Sequence, residues 1–359
     1  MTKPTILVDG HVLDGTPQGS AAYLAGLYGA VARGGLARVI MCCNEVTSID
    51  RWFPDAPEIE WEPIKASGRV RRLGVELPRL QARLKPDIAH FNYICPLHKT
   101  GPWINVIHDL LFLDYPQYFP LGYRVKNSTL FRISAMRSEK VLTSSHYSRS
   151  AIHRHFGIPL DRIYVVPAAP GAFVDAADEP VADLIPGRFL VYVSRFEPRK
   201  NQHALVKAFH DVEAELDGDL KLVLVGSPAL SYRELDEALS KAGNRVRLLS
   251  NLSHAQLTWL YRNAAASLYP SRAEGFGMPI IEAVAAGGRS YCADNTAMSE
   301  LVPFVHGSFQ ASEQGQIRDS ILKAFADSGE ITQFAVRDRL LETFSWEASA
   351  EALIDVLRD

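Results

Sequence analysis

Ala265-Ala-Ser-Leu-Tyr-Pro-Ser-Arg-Ala-Glu-Gly-Phe-Gly-Met-Pro-Ile-Ile-Glu-Ala283 reads as an apolar strand over Ala265–Tyr269, a glycine-bearing turn and the start of a helix. The spacing predicts Pro279 as the first helical residue, where a missing N–H costs nothing. Gly275 and Gly277 allow the backbone close to a ligand, and the free N–H groups at the helix start suit phosphate or sugar oxygens. Glu274 falls in the turn and Glu282 one turn into the helix, eight residues on. A carboxylate that accepts two hydrogen bonds suits a vicinal diol such as a ribose or hexose edge. The plainer alternative makes Glu274 a helix cap and Glu282 a solvated carboxylate favoured by the helix dipole. The flanking glycines and a second anion site favour the ligand reading.

Outward from that stretch, short apolar runs alternate with helical patterns along the whole chain, which implies an α/β protein with parallel sheets. In the first half the expected strands are Thr5–Val8, Ala37–Cys42, Ile88–Phe91, Trp103–Ile107, Lys140–Thr143 and Ile163–Val166. After Pro167-Ala-Ala-Pro-Gly171 the pattern restarts with Phe189–Val193, Lys221–Val225, Val246–Leu249, Ala265–Tyr269 and Arg289–Cys292. A chain of 359 residues exceeds the roughly 250 to 300 at which single cores stop growing, so two domains are expected, 1–170 and 171–343. The tail 344–359 carries an amphipathic helix over Glu347–Leu357, with Ser345 as its N-cap, expected to pack back on the first domain.

The second anion site is Phe189-Leu-Val-Tyr-Val-Ser-Arg-Phe-Glu-Pro-Arg-Lys-Asn201, a buried strand, a polar turn and then a helix over Gln202–Leu216. Ligands of open α/β sheets bind at the carboxyl ends of strands, where Arg195 and Lys200 fall. Two cations beside a helix N-terminus oppose its dipole, so a diphosphate between them would account for the placement. The competing reading is a solvated surface pair. A weaker glycine turn, Gly15-Thr-Pro-Gln-Gly19, follows the first strand, and Trp103–Ile107 delivers His108 and Asp109 to its carboxyl end. That pair suits a substrate contact or an ordinary structural hydrogen bond equally.

Composition is that of an ordinary globular protein, 47% hydrophobic and 22% charged, and a formal charge of -3 argues against a dedicated nucleic-acid binder. Cys42, Cys43, Cys95 and Cys292 show no metal-binding spacing and read as reduced, buried thiols of a cytoplasmic protein. The opening Met-Thr-Lys-Pro-Thr leads straight into a strand, so no signal peptide is expected. Asp217-Gly-Asp219 has the spacing that metal-dependent transferases use, but its place between a helix and a strand suits a turn, and no metal is expected. From Lys65 to Lys85 the chain has seven cations against Glu76 alone. A solvated helix face is the plain reading; docking on an anionic membrane is the sharper one.

These elements together resemble the retaining glycosyltransferases of family four (glycosyl transferases group 1), mannosyltransferase-like in character. The resemblance rests on Ser194-Arg195 to Lys200-Asn201, Val223-Leu-Val-Gly226, Glu274 to Glu282, Val106-Ile-His-Asp109, Ser145-His-Tyr-Ser-Arg149 and Phe344-Ser-Trp346. It implies a GT-B architecture, two Rossmann-like domains facing across a cleft, and transfer of a hexose from a nucleotide sugar. It implies that Arg195 and Lys200 hold the donor diphosphate, that Glu274 with the amides of Phe276 and Gly277 holds the sugar, and that Glu282 binds the ribose. His108 would lie near the transferred sugar and Gly19 near the phosphates, with Ser194 and Met278 lining the donor site and the base near Leu249 to Leu252. No cofactor is implied beyond the nucleotide-sugar substrate. The acceptor would be a glycan or lipid-linked chain of a bacterial surface polysaccharide, and the His-Asp strand with Tyr115-Pro116 looks most like mannosyl- and deoxyhexosyltransferases.

Two departures bear on donor or acceptor identity. Gly19-Ser-Ala-Ala22 stands where the family often has Gly-Ile-Gly-Arg, and Arg289-Ser290 replaces a Pro-Val. The other classes compatible with these residues are a nucleotide-sugar epimerase, a phosphorylase-like enzyme and an inactive sugar-nucleotide sensor.

Overall fold

The computed structural model describes residues 3–15, 18–65, 68–175, 177–212, 215–216, 220–230, 232–326 and 330–358. The chain forms two compact units, Met1–Ala169 with Phe344–Asp359, and Pro170–Thr343.

Unit 1 is built on a seven-stranded sheet in the order β3-β2-β1-β4-β5-β6-β7. Its strands are β1 (Thr5–Asp9), β2 (Arg38–Cys43), β3 (Glu60–Pro63), β4 (Ile88–Asn92), β5 (Trp103–Val106), β6 (Lys140–Thr143) and β7 (Ile163–Val165). Every pairing is parallel. Helices cover such a sheet on both faces, which is why β4 and β5 are buried at every residue, the polar His90, Asn92 and Asn105 included. The helix Trp346–Arg358 belongs to this unit: Ser345 Oγ accepts from the Ala348 amide at 3.1 Å, capping it as expected, and Ser349 Oγ donates to the Pro167 carbonyl at 2.8 Å. Its Trp346 ring stands edge-on to Tyr23, 5.9 Å between centroids.

Unit 2 repeats the plan with six parallel strands in the order β10-β9-β8-β11-β12-β13. They are β8 (Phe189–Val193), β9 (Lys221–Val225), β10 (Val246–Leu249), β11 (Ala266–Tyr269), β12 (Ser290–Ala293) and β13 (Gly307–Phe309). The strand order reverses between β8 and β11, and in open α/β sheets ligands bind at the carboxyl ends of the strands at such a reversal.

The expected strands occur with ends within one residue of their places, except for two that sequence patterning omitted. Both omissions are edge strands. β3 alternates charge with a tryptophan and ends on Pro63, as an edge tolerates, and β13 is three residues of Gly-Ser-Phe. The helix after β8 spans Gln202–Val212, shorter than expected, and the helix after β11 begins at Met278 rather than Pro279. In the run 65–85 six of the seven cations are exposed, as on a solvated face, and Arg72 is the exception. Arg72 is buried and hydrogen-bonds the Asp9 carboxylate at the end of β1, and Arg83 pairs with Glu62 at 2.5 Å. Burial alone would raise the Asp9 carboxyl, yet His11 and Arg72 hold it at about 2.

Candidate functional site

The loop leaving β8 runs Ser194 to Glu197, tightens into a 3-10 turn at Pro198–Lys200, and passes through Asn201 at φ 58 into the helix Gln202–Val212. Asparagine is among the few side chains that tolerate this left-handed conformation. Here its amide is used: Asn201 Nδ2 donates to the carbonyls of Pro270 (3.1 Å) and Ala311 (3.0 Å), tying this loop to the one that leaves β11. Tyr192 Oη, from within β8, donates to the Lys200 carbonyl and meets Ser271 Oγ, each at 2.8 Å. The Arg272 amide donates to the Arg199 carbonyl at 2.8 Å, and Gln202 Nε2 closes the base by donating to Ser194 Oγ and the Arg195 carbonyl. These bonds satisfy backbone groups of two irregular segments and fix where Lys200 and Glu274 stand.

Glu274 is the centre of charge. Its carboxylate accepts from Lys200 Nζ at 2.6 Å and from Arg199 Nη1 at 3.0 Å. Arg199 also donates to the Ala273 carbonyl (2.9 Å) and to Glu197 Oε1 (2.7 Å). All four charged side chains are largely shielded, between 12% and 18% exposed, so the attraction acts with little screening. Burial alone would raise the Glu274 carboxyl, but Lys200 and then Arg199 override it and hold it at about 2. Burial pushes the Lys200 amine down, with Glu274 opposing. A third loop supports the carboxylate's backbone, since the Glu274 amide donates to Thr296 Oγ1 at 3.0 Å just after β12.

Two glycines make this geometry accessible. Gly277, immediately before the helix Met278–Ala285, has φ 124, a conformation closed to other residues. Gly226 follows β9 at φ 151, and a Cβ there would lie 2.0 Å from the Ser194 carbonyl oxygen, so only glycine lets the loop after β8 pass.

Glu282 lies on the same helix as expected, but in a different electrostatic setting. Burial raises its carboxyl to about 7, the Tyr261 hydroxyl at 3.4 Å acting against this, and among the described residues it forms no ion pair. Phe276 and Met278 are half-buried at the start of that helix. Leu249 and Leu252 are half-buried at the end of β10, an edge strand.

The structure therefore brings Lys200 and Glu274 together directly, through a bond that sequence spacing did not anticipate. Of the two cations singled out in the sequence, Lys200 is met by a carboxylate of this chain, Glu274. Arg195 is exposed and outside that cluster, whereas Arg199, passed over in the sequence, is its clamp. The available signal was the Glu197-Pro-Arg199 spacing, which on a 3-10 turn sets the two charges within reach.

In unit 1, Gly19 opens the helix Gly19–Arg33, and a Cβ placed on it would meet nothing within 4 Å. His108 follows β5 with Nε2 buried and without a hydrogen-bond partner, its ring edge-on to Tyr23 at 4.8 Å and to Tyr93 at 5.7 Å. Burial lowers its pKa to about 4, so the imidazole is neutral near pH 7. Asp109 accepts from the Leu111 amide at 3.1 Å. All four cysteines are free and buried. Among the described residues no group of three or more His, Cys, Asp or Glu could hold a metal ion, and no helix is long and apolar enough to cross a membrane. Asp217-Gly-Asp219 lies outside the described residues.

Comparison with known proteins places these features in context. Residues 17–169 match the family described as Glycosyltransferase Family 4, and residues 185–328 match Glycosyl transferases group 1. The chain is 28% identical over 293 residues to O-antigen chain mannosyltransferase B of Escherichia coli, covering 75% of this chain and 74% of that protein. It superposes on sucrose-phosphate synthase from Thermosynechococcus elongatus with a TM-score of 0.76 at 20% identity, over 99% of this chain and 98% of the other. The Anabaena protein HepE, solved in complex with UDP and glucose, superposes with a TM-score of 0.71 at 17% identity, each chain fully covered. These likenesses show the fold: the two-domain α/β architecture expected from the alternation of elements, and of the GT-B type that the family resemblance implied.

Proposed function

The chain belongs to the family-four glycosyltransferases (glycosyl transferases group 1), and on that premise we propose that it moves a hexose, mannose or a deoxy relative, from a nucleoside-diphosphate sugar to a hydroxyl with retention of configuration and without a metal ion. The observation that carries this reading is the Lys200–Glu274–Arg199 cluster, set between the loops that leave β8 and β11 where the strand order of unit 2 reverses. Arg199 spends its guanidinium on Glu197, Ala273 and Glu274 and so acts as a clamp. An ammonium has three donors; Glu274 takes one from Lys200, leaving two for phosphate oxygens. Exposed Arg195 supplies a second cation without breaking the clamp.

In the reaction the acceptor oxygen attacks the anomeric carbon from the face that the diphosphate leaves. The bond from that carbon to the phosphate oxygen breaks, and the acceptor proton passes to the departing phosphate. Fixed positive charge lowers the barrier because it stabilises negative charge building on the leaving oxygens, with no reorganisation needed at that moment. Glu274 accepts from hydroxyls of the donor sugar while anchoring Lys200, and the amides of Phe276 and Gly277 approach the same sugar. Glu282 accepts from the ribose diol. The roles of Gly19 at the phosphates and of His108 at the transferred sugar, of Ser194 and Met278 along the donor, and of Leu249 and Leu252 near the base, rest on the family resemblance. We read the acceptor as a glycan or lipid-linked chain of surface polysaccharide, since the E. coli relative is an O-antigen mannosyltransferase, and the enzyme as cytoplasmic and attached peripherally to an anionic membrane.

A thermal-shift panel of GDP-, UDP- and dTDP-sugars tests the donor, because a ligand that binds only the folded state raises the melting point. GDP-mannose is expected to give the largest rise. A larger rise with a UDP- or dTDP-sugar would overturn the choice of base, and no rise with any would overturn the transferase reading.

A further inference from the structure

The helix Leu121–Arg137 buries Asn127, Phe131, Ser134 and Ala135 against the core of unit 1. A surface helix with one face so used ordinarily shows water a polar face. This one does not. Leu121 is 67% exposed, Val125 61% and Met136 55%, with Tyr123 and Ile133 each at 47%. Every charge on the helix is positive: Arg124, Lys126, Arg132 and Arg137 are its charged residues.

Neighbouring segments continue the surface. Arg137 Nη1 donates to the Leu97 carbonyl at 3.0 Å, Leu97 is 63% exposed, and its amide donates to the Leu73 carbonyl at 3.2 Å. Leu73 lies beside Val75, 38% exposed, and close in sequence to Val70, 82% exposed. At the other end of the helix, Tyr123 feels the charge of Arg69. Of fourteen exposed large hydrophobic residues among those described, eight lie here, so this is a patch and not scatter.

We propose that this face of Leu121–Arg137, with Val70 and Leu97 beside it, is the surface by which the protein docks on an anionic lipid bilayer. Leu121, Val125 and Met136 enter the interface while Lys126 and Arg132 meet headgroup phosphates. Aliphatic side chains interleaved with cations on a helix face are the pattern of interfacial membrane binding. A second copy of the chain fits less well, because a two-fold contact through this face would set four positive charges against four. The run 65–85 contributes less than its composition suggests, since Arg72 and Arg83 are already paired within the fold. The proposal deepens the peripheral attachment read above and names where it occurs.

The test is co-sedimentation of the full chain with phosphatidylcholine vesicles, with and without phosphatidylglycerol, with melting temperature as the check on folding. Binding is expected only to the anionic vesicles, and a cation near such a surface contributes enough that Lys126→Ala with Arg132→Ala weakens it about thirtyfold. Leu121→Ser with Val125→Ser and Met136→Ser should abolish it without lowering the melting temperature. Equal binding to both vesicles, no binding to either, or unchanged binding by both variants would overturn the proposal. So would a dimer in sedimentation equilibrium that the serine variant dissolves. The donor thermal shift, measured on the same samples, separates the two readings: donor binding without vesicle binding sinks this proposal alone, and the converse sinks only the transferase.

Discussion

Replacing Glu274 by glutamine keeps the shape of the side chain and removes its charge, and the structure sets the size of the consequence. A carboxyl held at about 2 instead of its ordinary 4.5 contributes about 3 kcal/mol to folding at neutral pH. The side chain is 14% exposed, so solvent screening takes little of this away. Lys200 would also stay 12% exposed without its nearest counter-charge, a situation that costs several kcal/mol when one partner of a buried pair is removed. Glu274→Gln should therefore lower stability by about 3 kcal/mol, and the melting point by about 6 to 12 °C for a domain of this size. The sign with pH follows from the depressed carboxyl: its contribution is full above 4.5 and is lost as pH falls through about 2. Urea unfolding of both proteins at several pH values is the assay. The gap should be constant from pH 8 to pH 5 and narrow steadily below 4.5. A variant within about 0.5 kcal/mol of wild type at pH 7, no more than an ordinary exposed pair contributes, or a gap independent of pH down to 3, would refute the reasoning.

Lys200→Ala leaves Glu274 its bond to Arg199, so the protein should stay folded while turnover falls by about 100-fold or more, read as kcat against a melting curve. Because burial raises the Glu282 carboxyl to about 7, and only the ionised form accepts from both hydroxyls of a diol through its two oxygens, donor affinity should improve as pH rises from 6 to 8. Glu282→Gln should flatten that dependence in calorimetric titrations with donor. The raised carboxyl also opposes folding once pH rises above 4.5 through about 7, so the same variant should gain stability over wild type at pH 8 and lose that gain at pH 4. Activity in excess EDTA should equal that without it; loss restored by a divalent ion would overturn the metal-free mechanism.

Much of this architecture was legible in the chain because parallel strands buried on both faces are unbroken apolar runs, as in Phe189–Val193. Of the four edge strands among the described residues, Glu60–Pro63 and Gly307–Phe309 lack that signature and were invisible, while Ile163–Val165 and Val246–Leu249 keep enough apolar residues to be read. The Glu274 to Glu282 stretch announced itself through glycines that local geometry demands, Gly277 above all. Charge pairing was the part that spacing could not show. Glu274 meets Lys200 across 74 positions and Asp9 meets Arg72 across 63, contacts that exist only once the sheets have formed. The same blindness made Arg199 look incidental and made Arg72 look like one more solvated cation. It also hid the apolar outer face of Leu121–Arg137, since in sequence its leucine, valine and methionine look like core.

The central claim is that the paired loops after β8 and β11 hold the diphosphate of a sugar nucleotide. A crystal soaked with GDP-mannose tests it most directly. Phosphate oxygens within hydrogen-bonding distance of Lys200 Nζ, with Arg195 drawn toward them and Glu274 still on the Lys200 ammonium, is the predicted result. A nucleotide bound elsewhere, with Lys200 contacting only Glu274, would contradict it.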